Sequence, residues 1–385
     1  MKITVVGAGN AGGATALYYS YYTAVDKVPN VEIELVYDDQ IPAEKVGQGT
    51  FPDMPELLWY ALGCDWYNNP IQCTIKKGFL YENWGKKNHK FFHAFPFGKS
   101  GIHHDTSLFQ KSILESGLFK VRNERVTNLD DIDADFIFDC RGKPAELNEE
   151  YEELVNPLNC CLLGTSHERQ PNENWTRAVA TPDGWCFVIP NTIETTSFGY
   201  LFNEEYTTRE EAASNLLDLF GIESNEFLTF NKYVAKEPIQ GRVILNGNKL
   251  FFLEPLEGTA LSIYLGMAAR TYKWLILKES HPEQISQDTL KLIHECEKFI
   301  LWHYTGGSKY ESKFWSYATK LAKTLPCKRF DEVLDITLNN NELDIRSLVG
   351  CQIQYGSWCR DSIKNWWDNA IVFPDDLLHS YKDND

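Results

Sequence analysis

The distribution of hydrophobic and polar residues along the chain predicts a mixed α/β protein. Residues 2–6 are mostly apolar, as in a buried strand, residues 10–22 suit a helix, and residues 32–37 suit a second strand. Residues 134–139 form another short apolar run, which is typical of a buried strand. An opening of strand, helix and strand indicates a parallel sheet covered by helices.

The rest of the chain divides into a strand-rich middle and a helical second half. Further strands are predicted over residues 72–84, 175–181, 184–189, 196–202, 227–235 and 242–252. Helices are predicted over residues 53–63, 106–117 (N-cap Asp105), 209–220 (N-cap Thr207 or Thr208), 259–279, 284–304 and 312–325. The tail after residue 326 has no clear pattern.

Composition excludes several classes of protein. The 385 residues suffice for two or three lobes, and the net charge of -17 argues against a nucleic-acid-binding or anionic-membrane surface. The ten cysteines are scattered and form no zinc-like spacing, which indicates reduced thiols and a cytoplasmic location. We expect no bound metal, no signal peptide and no membrane span. The oligomeric state stays open, a homo-oligomer included.

A glycine-rich turn follows the first strand and opens the first helix. In G7-A-G-N-A-G-G13 the first glycine permits a tight turn, the second admits a pyrophosphate, and the third lets the helix pack on the strand. An acidic residue after the second strand suits a ribose hydroxyl. The residues that this interpretation assigns to a dinucleotide are Gly7, Gly9, Ala11, Gly12, Gly13 and Asp38.

Three further segments favour a long dinucleotide such as FAD. Residues 42–52 place two glycines between two prolines, which suits a strap over a cofactor, although an ordinary surface loop is the alternative. The glycine-ended strand 136–142 and the segment 242–248 are further points where the chain could cross the cofactor. The additional residues assigned to the cofactor are Val46, Gly47, Gln48, Gly49 and Asn246.

A helix N-terminus preceded by two carboxylates is the strongest candidate for chemistry. Thr259 and Ala260 begin the helix after F251-F-L-E-P-L-E-G258, where free backbone N–H groups attract an anion. Glu257 would act there as a base or a hydrogen-bond acceptor. A capping carboxylate at a helix start is the alternative.

Other polar residues have competing interpretations. Lys76 and Lys77 point to opposite faces of a strand, so one should be buried and reactive unless both are exposed. His103 and His104 suit a loop before the Asp105 N-cap better than a metal site. His303 and Tyr304 suit a helix core or a pocket wall.

The segment D183-G-W-C-F-V-I-P190 places Trp185 and Phe187 on one face of a strand that Pro190 ends. On its own this pair is typical of ordinary core packing.

Taken together, these segments resemble the flavin-dependent halogenases, the tryptophan-halogenase-like family, including its short, virus-encoded members. The resemblance covers roughly residues 1–320, and the tail matches poorly. The matching segments, in order, are Gly7–Gly12, V46-G-Q-G-T-F-P52, Ile75–Trp84, D139-C-R-G142, W185-C-F-V-I-P190, F252-L-E-P-L-E257, H303-Y304 and F314-W315.

The resemblance implies a fold and a division into domains. The fold is α/β, with an FAD-binding Rossmann-type domain as in the single-component flavin monooxygenases and a substrate lobe of β-sheet and helices. We expect the FAD-binding domain over residues 1–147, with 240–275 returning to it. A β-rich substrate lobe is expected over 148–239 and a helical C-terminal part over 276–385.

The resemblance also implies a reaction. Reduced FAD from a separate flavin reductase, oxygen and halide would yield hypohalous acid, which reaches Lys76 and halogenates an electron-rich aromatic ring. Glu257 would assist the transfer, and the backbone at Thr259 and Ala260 would bind halide. The residues expected to keep the organic substrate away from the flavin are Trp185, Phe187, Ile189 and Pro190.

Departures from the family pattern shape the expected specificity. Gln48 replaces an acidic strap residue, Phe187 replaces a tryptophan, and Gly258 and Ala260 replace serine and glycine beside the halide. Only 18 residues separate Trp84 from the first histidine of the 103–104 pair, where tryptophan halogenases carry a longer lid. We therefore expect a broad range of small aromatics and a preference for bromide or iodide. A flavin hydroxylase and a non-catalytic FAD-binding protein are the alternatives.

Overall fold

The computed structural model describes residues 1–44, 46–95, 98–167, 174–325, 365–366 and 368–370. In chain order its strands are β1 (Lys2–Val6), β2 (Glu32–Tyr37), β3 (Gln48–Gly49), β4 (Thr74–Lys76), β5 (Gly78–Glu82), β6 (Lys90–Ala94), β7 (Gly101–His104), β8 (Lys120–Asn123), β9 (Phe136–Asp139), β10 (Tyr151–Glu153), β11 (Cys160–Ser166), β12 (Thr176–Thr181), β13 (Gly184–Pro190), β14 (Thr196–Phe202), β15 (Glu226–Thr229), β16 (Tyr233–Ala235), β17 (Ile239–Gln240), β18 (Val243–Leu245) and β19 (Phe251–Phe252).

The helices follow the sequence pattern closely. In chain order they are α1 (Asn10–Val25), α2 (Asp53–Leu62), α3 (Thr106–Leu114), α4 (Arg209–Phe220), α5 (Ala260–Leu275), α6 (Pro282–Tyr304) and α7 (Lys313–Ala322). Asp105 caps α3 and Thr208 caps α4 through their side chains, so both predicted N-caps are confirmed.

A six-stranded sheet carries the glycine turn. Its order is β17-β18-β9-β1-β2-β8, and β1 pairs in parallel with both β2 and β9. Helix α1 crosses between β1 and β2 and packs against α5, where the Tyr19 hydroxyl donates to Thr271 Oγ1 at 2.9 Å. The predicted α/β fold with a Rossmann-type sheet is confirmed.

A seven-stranded sheet forms the second layer, in the order β15-β11-β14-β13-β12-β5-β6. Every residue of its inner strand β13 is buried. Trp185 and Phe187 face the main core, whereas Cys186 and Val188 face a smaller core under α4. Strand β13 therefore has apolar packing on both faces, which explains its nearly unbroken apolar run.

A three-stranded sheet, β3-β7-β4, places the strap and the lysine segment side by side. Strand β7 pairs antiparallel with β3 on one side and with β4 on the other. The remaining sheet is β10-β16-β19, which leads into the N-terminus of α5.

Several predicted elements are divided in the structure. The predicted strand 72–84 breaks into β4 and β5, which lie in different sheets, because Gly78 has φ +151° and a Cβ there would meet the carbonyl oxygen of His93 at 2.0 Å. The predicted strand 227–235 divides into β15 and β16, again in different sheets. The predicted strand 242–252 is interrupted by a 3-10 turn over Gly247–Lys249.

The prediction of a loop at His103 and His104 was wrong. His103 and His104 lie in strand β7 rather than in a loop. Local sequence could not show that this segment pairs with β3 and β4, where both side chains are fully buried and hydrogen-bonded.

The predicted domain boundaries stay a prediction. Strands β5 and β6 belong to the seven-stranded sheet although they precede residue 148, so that sheet draws on both of the first two predicted parts. Apart from residues 365, 366 and 368–370, the tail from 326 lies outside the described residues, and with it much of the predicted helical C-terminal part. Within the described ranges, no helix has the length and apolar character needed to cross a bilayer.

Candidate active site

Three glycines shape the turn between β1 and α1. Gly7 has φ +106°, and a Cβ there would lie 2.3 Å from the carbonyl oxygen of Cys140. A Cβ on Gly12 would lie 1.8 Å from the carbonyl oxygen of Gly7, so this residue lets α1 pack on the turn. Gly13 packs under the Phe109 ring. In contrast, a Cβ on Gly9 would meet nothing within 4 Å, which leaves open space at the N-terminus of α1.

Asp38 follows β2 and carries an unsatisfied oxygen. Its Oδ1 accepts the backbone N–H of Gln40 at 2.9 Å, whereas its buried Oδ2 has no hydrogen-bond donor among the described residues. The Arg125 guanidinium lies 3.9 Å from this oxygen. A buried acceptor without a donor suits a ribose hydroxyl.

The strap is fixed to the neighbouring strands at each of its glycines. Gly47 donates its N–H to Ser197 Oγ at 3.1 Å, and a Cβ on Gly47 would lie 1.6 Å from Oδ1 of Asn191. A Cβ on Gly49 would lie 3.1 Å from Nζ of Lys76. The strap backbone therefore runs directly beside the candidate catalytic lysine.

The two histidines of β7 connect the strap to its surroundings. His104 Nε2 lies 3.1 Å from Oδ1 of Asn10 in the first turn of α1, and burial lowers the pKa of His104 to about 4. His103 Nε2 lies 3.0 Å from Thr176 Oγ1, and its Nδ1 lies 3.3 Å from Thr74 Oγ1. The sequence offered no signal for these contacts, because the partners are far away along the chain.

The side chain of Asn246 connects two helices. Its Nδ2 donates to Thr15 Oγ1 at 3.0 Å and to the carbonyl oxygen of Tyr264 at 3.1 Å, and its Oδ1 accepts the N–H of Gly247. The side chain is fully buried. Its hydrogen bonds join α1 to α5, so the geometry gives Asn246 a structural role, while Gly247 and Asn248 line the cavity.

One cavity of about 640 Å³ joins these features to the candidate chemistry. Of the residues selected from the sequence, its lining includes Gly9, Ala11, Val46, Gly47, Gln48, Gly49, Lys76, Trp185, Phe187, Ile189, Glu257, Thr259 and Ala260. The selected residues outside the lining are Gly7, Gly12, Gly13, Asp38, Pro190 and Asn246. The glycine turn, the strap, the lysine and the carboxylate thus line one cavity.

Lys76 is buried, with 1% of its surface exposed, whereas Lys77 on the opposite face of the chain is exposed. The Lys76 Nζ atom lies 3.8 Å from the ring centre of Phe79, 5.4 Å from that of Phe95 and 5.9 Å from that of Phe51. Burial lowers the pKa of Lys76 to about 7, and the Glu257 carboxylate partly offsets that effect. A substantial fraction of Lys76 is therefore a neutral, nucleophilic amine near neutral pH.

Glu257 sits in an unusual turn immediately before α5. It has φ +72° and is followed by Gly258 at φ +62°, so two successive residues adopt the left-handed region. A Cβ on Gly258 would lie 3.2 Å from the carbonyl oxygen of Gly49 and 3.7 Å from Nζ of Lys76. The turn brings Thr259, the N-cap of α5, into the cavity without a side-chain capping bond. The backbone there suits an anion.

His303 of α6 contacts Glu257. Its Nδ1 lies 2.8 Å from the carbonyl oxygen of Phe299, which only accepts, so Nδ1 carries a hydrogen. Its Nε2 lies 3.0 Å from Oε1 of Glu257, and both side chains are fully buried. This contact connects α6 to the turn that precedes α5.

The second carboxylate of the segment has its own partners. Oε2 of Glu254 lies 2.5 Å from Nζ of Lys232, and both side chains are fully buried. The Tyr304 hydroxyl donates to Oε1 of Glu254 at 2.6 Å. Adjacent residues of α6, His303 and Tyr304, thus fix the two carboxylates that precede α5. The sequence indicated that these carboxylates need partners but did not identify them.

Strand β13 lines the cavity with alternate side chains. The ring centres of Trp185 and Phe187 lie 6.3 Å apart, and Ile189 continues the same face. The Phe187 ring lies over Gly199, where a Cβ would meet it at 2.0 Å. Pro190 accepts the Thr74 hydroxyl at 2.7 Å through its carbonyl oxygen. This face forms an apolar wall of the cavity.

The arrangement fits a flavin dinucleotide. The open space at Gly9 suits a pyrophosphate, the unsatisfied Oδ2 of Asp38 suits a ribose hydroxyl, and the cavity extends from the strap to Lys76. Burial, a cation and a carboxylate together suit the transfer of an electrophile in a space with little water.

Comparisons with known proteins agree with this geometry. The chain matches the sequence profile "Tryptophan halogenase" over residues 2–123 and 120–337. It is 20% identical to tryptophan 7-halogenase KtzQ from Kutzneria sp. (strain 744), covering 97% of this chain and 88% of that protein.

Solved structures show the same fold. MibH, a lanthipeptide tryptophan 5-halogenase, superposes with a TM-score of 0.79 at 18% identity, covering 97% of this chain and 87% of that one. BrvH, a flavin-dependent halogenase from Brevundimonas sp. BAL3, superposes with a TM-score of 0.75 at 16% identity, covering 98% and 92%. The profile match spans more than half of the chain, and the chain belongs to the tryptophan halogenase family of flavin-dependent halogenases.

Proposed function

We propose that the protein uses reduced FAD, oxygen and halide to form hypohalous acid, and that Lys76 passes the halogen to a small, electron-rich aromatic substrate. The observation that carries this proposal is the position of Lys76. Its buried amine lines the same cavity as Glu257, the strap and the N-terminus of α5. When bound, reduced flavin would supply two electrons to oxygen. The activated oxygen can then oxidise halide to hypohalous acid.

The chain's own residues bind the halide and separate the organic substrate from the flavin. The backbone at Thr259 and Ala260 binds halide at the N-terminus of α5. The apolar wall of Trp185, Phe187 and Ile189 limits water and keeps the organic substrate away from the flavin.

Lys76 acts on hypohalous acid in one of two ways. The neutral amine can replace one N–H bond with an N–halogen bond and release water, or the ammonium form can hold hypohalous acid by a hydrogen bond. In the first case the halogen then moves to the ring, which loses a proton to Glu257, and that proton restores the amine. The lowered pKa of Lys76 favours the first route.

The proposed substrate range follows from the short segment that stands where tryptophan halogenases carry a longer lid. We propose that it accepts varied phenols, indoles and anilines, because the stretch between Trp84 and His103 is short. We also propose a preference for bromide or iodide, because an open, less snug site favours these halides, which are easier to oxidise than chloride. Free tryptophan with chloride as the best pair would contradict both proposals.

The reaction needs partners outside the chain. We propose that a separate flavin reductase supplies reduced FAD. A reducing, cytoplasmic location agrees with the buried free thiols among the described residues, for example Cys140 and Cys161.

Mass spectrometry of products tests the proposed function. The full chain is mixed with FAD, a generic flavin reductase, oxygen and a panel of small aromatics, with chloride, bromide or iodide in turn. Catalase and a protein-free reaction control for released peroxide. We expect a halogen mass shift that requires both protein and halide. A mass gain of one oxygen that ignores halide would indicate a hydroxylase, and flavin binding without any product would indicate a binding protein.

A further inference from the structure

Glu257 is a buried carboxylate on a strained turn, so its position depends on the groups around it. It is 1% exposed, and its backbone adopts φ +72°, a region that few residues other than glycine occupy. A carboxylate removed from water needs hydrogen-bond donors or cations nearby. One direct contact comes from α6, where Nε2 of His303 lies 3.0 Å from Oε1 of Glu257.

The imidazole ring of His303 is held in its orientation by its own helix and by neighbouring rings. Its Nδ1 lies 2.8 Å from the carbonyl oxygen of Phe299, one helical turn earlier. The ring centres of Phe299 and Trp366 each lie 4.6 Å from that of His303, at interplanar angles of 66° and 80°. A backbone contact and two steeply inclined rings restrict rotation of the imidazole. Its Nε2 therefore has a fixed direction, towards Glu257.

His303 and Glu257 differ in their access to the cavity that contains Lys76. Glu257 lines this cavity, whereas His303 does not line it and is fully buried. A molecule in the cavity therefore meets the Glu257 carboxyl group and not the imidazole. Packing among aromatic rings would also explain a buried histidine, so a purely structural role is the alternative.

We propose that His303 is a positioning residue, which holds the Glu257 carboxyl group towards the cavity, where it accepts the proton that the aromatic ring loses. This inference rests on the proposed function, in which Glu257 is that acceptor. His303 itself contacts neither the substrate nor the halogen. Loss of its contact with Glu257 should slow the transfer of halogen to the ring and leave the formation of hypohalous acid unchanged.

Two amide variants separate the two nitrogen contacts of His303. In His303→Gln the amide nitrogen lies about as far along the side chain as Nε2, so it can still donate to Glu257. In His303→Asn the amide nitrogen lies about as far along as Nδ1, so it can reach the carbonyl oxygen of Phe299 but not Glu257. Ile293→Val trims a fully buried side chain of the same helix and controls for a general loss of packing.

The division of halogen between an aromatic ring and a trap measures the positioning role. Each variant is run with FAD, reductase, bromide, a diketone that traps escaped hypohalous acid, and the aromatic of the panel that the wild type brominates fastest. We expect His303→Asn to lower kcat for ring bromination about tenfold, with KM for the aromatic and the total of brominated ring and trap unchanged. His303→Gln should stay within about threefold of the wild type, and Ile293→Val should match it.

Urea unfolding tests the contact without any turnover. Stability is measured for Glu257→Ala, for His303→Asn and for the double variant. Each single change leaves the other partner buried without this contact, whereas the double change removes both partners. We expect the double variant to lose less stability than the sum of the two single losses, while Glu257→Ala and Ile293→Val should add. Additive losses for Glu257→Ala and His303→Asn would overturn the inference.

The wild-type reaction separates this inference from the proposed function. A wild type that brominates neither the ring nor the trap would contradict the proposed function, and the positioning role with it. If the wild type brominates the ring and His303→Asn keeps its kcat, the proposed function stands and the positioning role is wrong. A loss of ring bromination in Ile293→Val as large as in His303→Asn would indicate general packing and would also overturn the positioning role.

Discussion

Lys76 is the residue whose surroundings most constrain its chemistry. Three phenylalanine rings lie within 6 Å of its Nζ atom, and burial lowers its pKa to about 7. An exposed lysine of ordinary pKa would be almost entirely protonated near neutrality and unable to form an N–halogen bond. The environment, not the residue type, therefore makes the amine available.

The pH dependence of halogen transfer follows from this pKa. The lowered pKa means that the neutral amine becomes the main form as pH rises through about 7. We therefore expect single-turnover transfer from added hypohalous acid to the ring to rise between pH 6 and about 8 and then level off. Rapid-quench product analysis measures it. A rate that falls across the same range would indicate the hydrogen-bonding ammonium instead.

Substitution of Glu257 should separate halogen transfer from flavin binding. Glu257→Gln removes the proton acceptor but keeps the size of the side chain, so ring halogenation should fall by about 10²-fold or more. Affinity for FAD should stay unchanged. Glu279→Gln, at an exposed position, is the matched control and should retain full activity. Equal activity of the two variants would remove Glu257 from the mechanism.

At the scale of elements, the sequence predicted most of the helices and strands that position the site. Local patterns determine these elements, as in the turn between β1 and α1, where spacing alone identifies the glycines. The breaks at Gly78 and after β15 were missed because they depend on which sheet each half joins. For the same reason the sequence could not predict that His303 and Tyr304 of α6 contact Glu257 and Glu254.

The glycine turn gives a paired prediction. Gly12→Ala places a Cβ 1.8 Å from a backbone oxygen, so it should lower both Tm and FAD affinity. Gly9→Ala meets no protein atom within 4 Å, so Tm should hold while FAD affinity falls, because the methyl group occupies space that suits the pyrophosphate. Thermal melts and flavin-fluorescence titration measure both effects. Unchanged FAD affinity in Gly9→Ala would place the cofactor elsewhere.

The buried contacts that precede α5 give a prediction for stability. Lys232→Met leaves the Glu254 carboxylate buried without its cation and should cost about 3–5 kcal/mol in the free energy of unfolding. Tyr304→Phe removes only one donor to the same carboxylate and should cost about 1–3 kcal/mol. Urea unfolding measures both. A larger loss in Tyr304→Phe than in Lys232→Met would contradict the ranking.

At the scale of the whole molecule, the proposed function depends on a cavity to which elements of both large sheets contribute. The six-stranded sheet presents the glycine turn, while the seven-stranded sheet presents β13 and Phe79 beside Lys76. Residues 76 and 257 come together only in the folded chain. Periodicity could not predict that Lys76 and Glu257 line one cavity, whereas the resemblance to a known family led us to expect it.

The central claim is that the halogen passes through Lys76, and separating oxidant formation from ring transfer tests it most directly. Wild type and Lys76→Met are run with FAD, reductase, bromide, an aromatic substrate and a diketone that traps escaped hypohalous acid. We expect Lys76→Met to lose ring halogenation at least 10²-fold while the brominated trap still forms. Lys77→Met, the exposed neighbour, should behave as wild type. Undiminished ring halogenation in Lys76→Met would contradict the account.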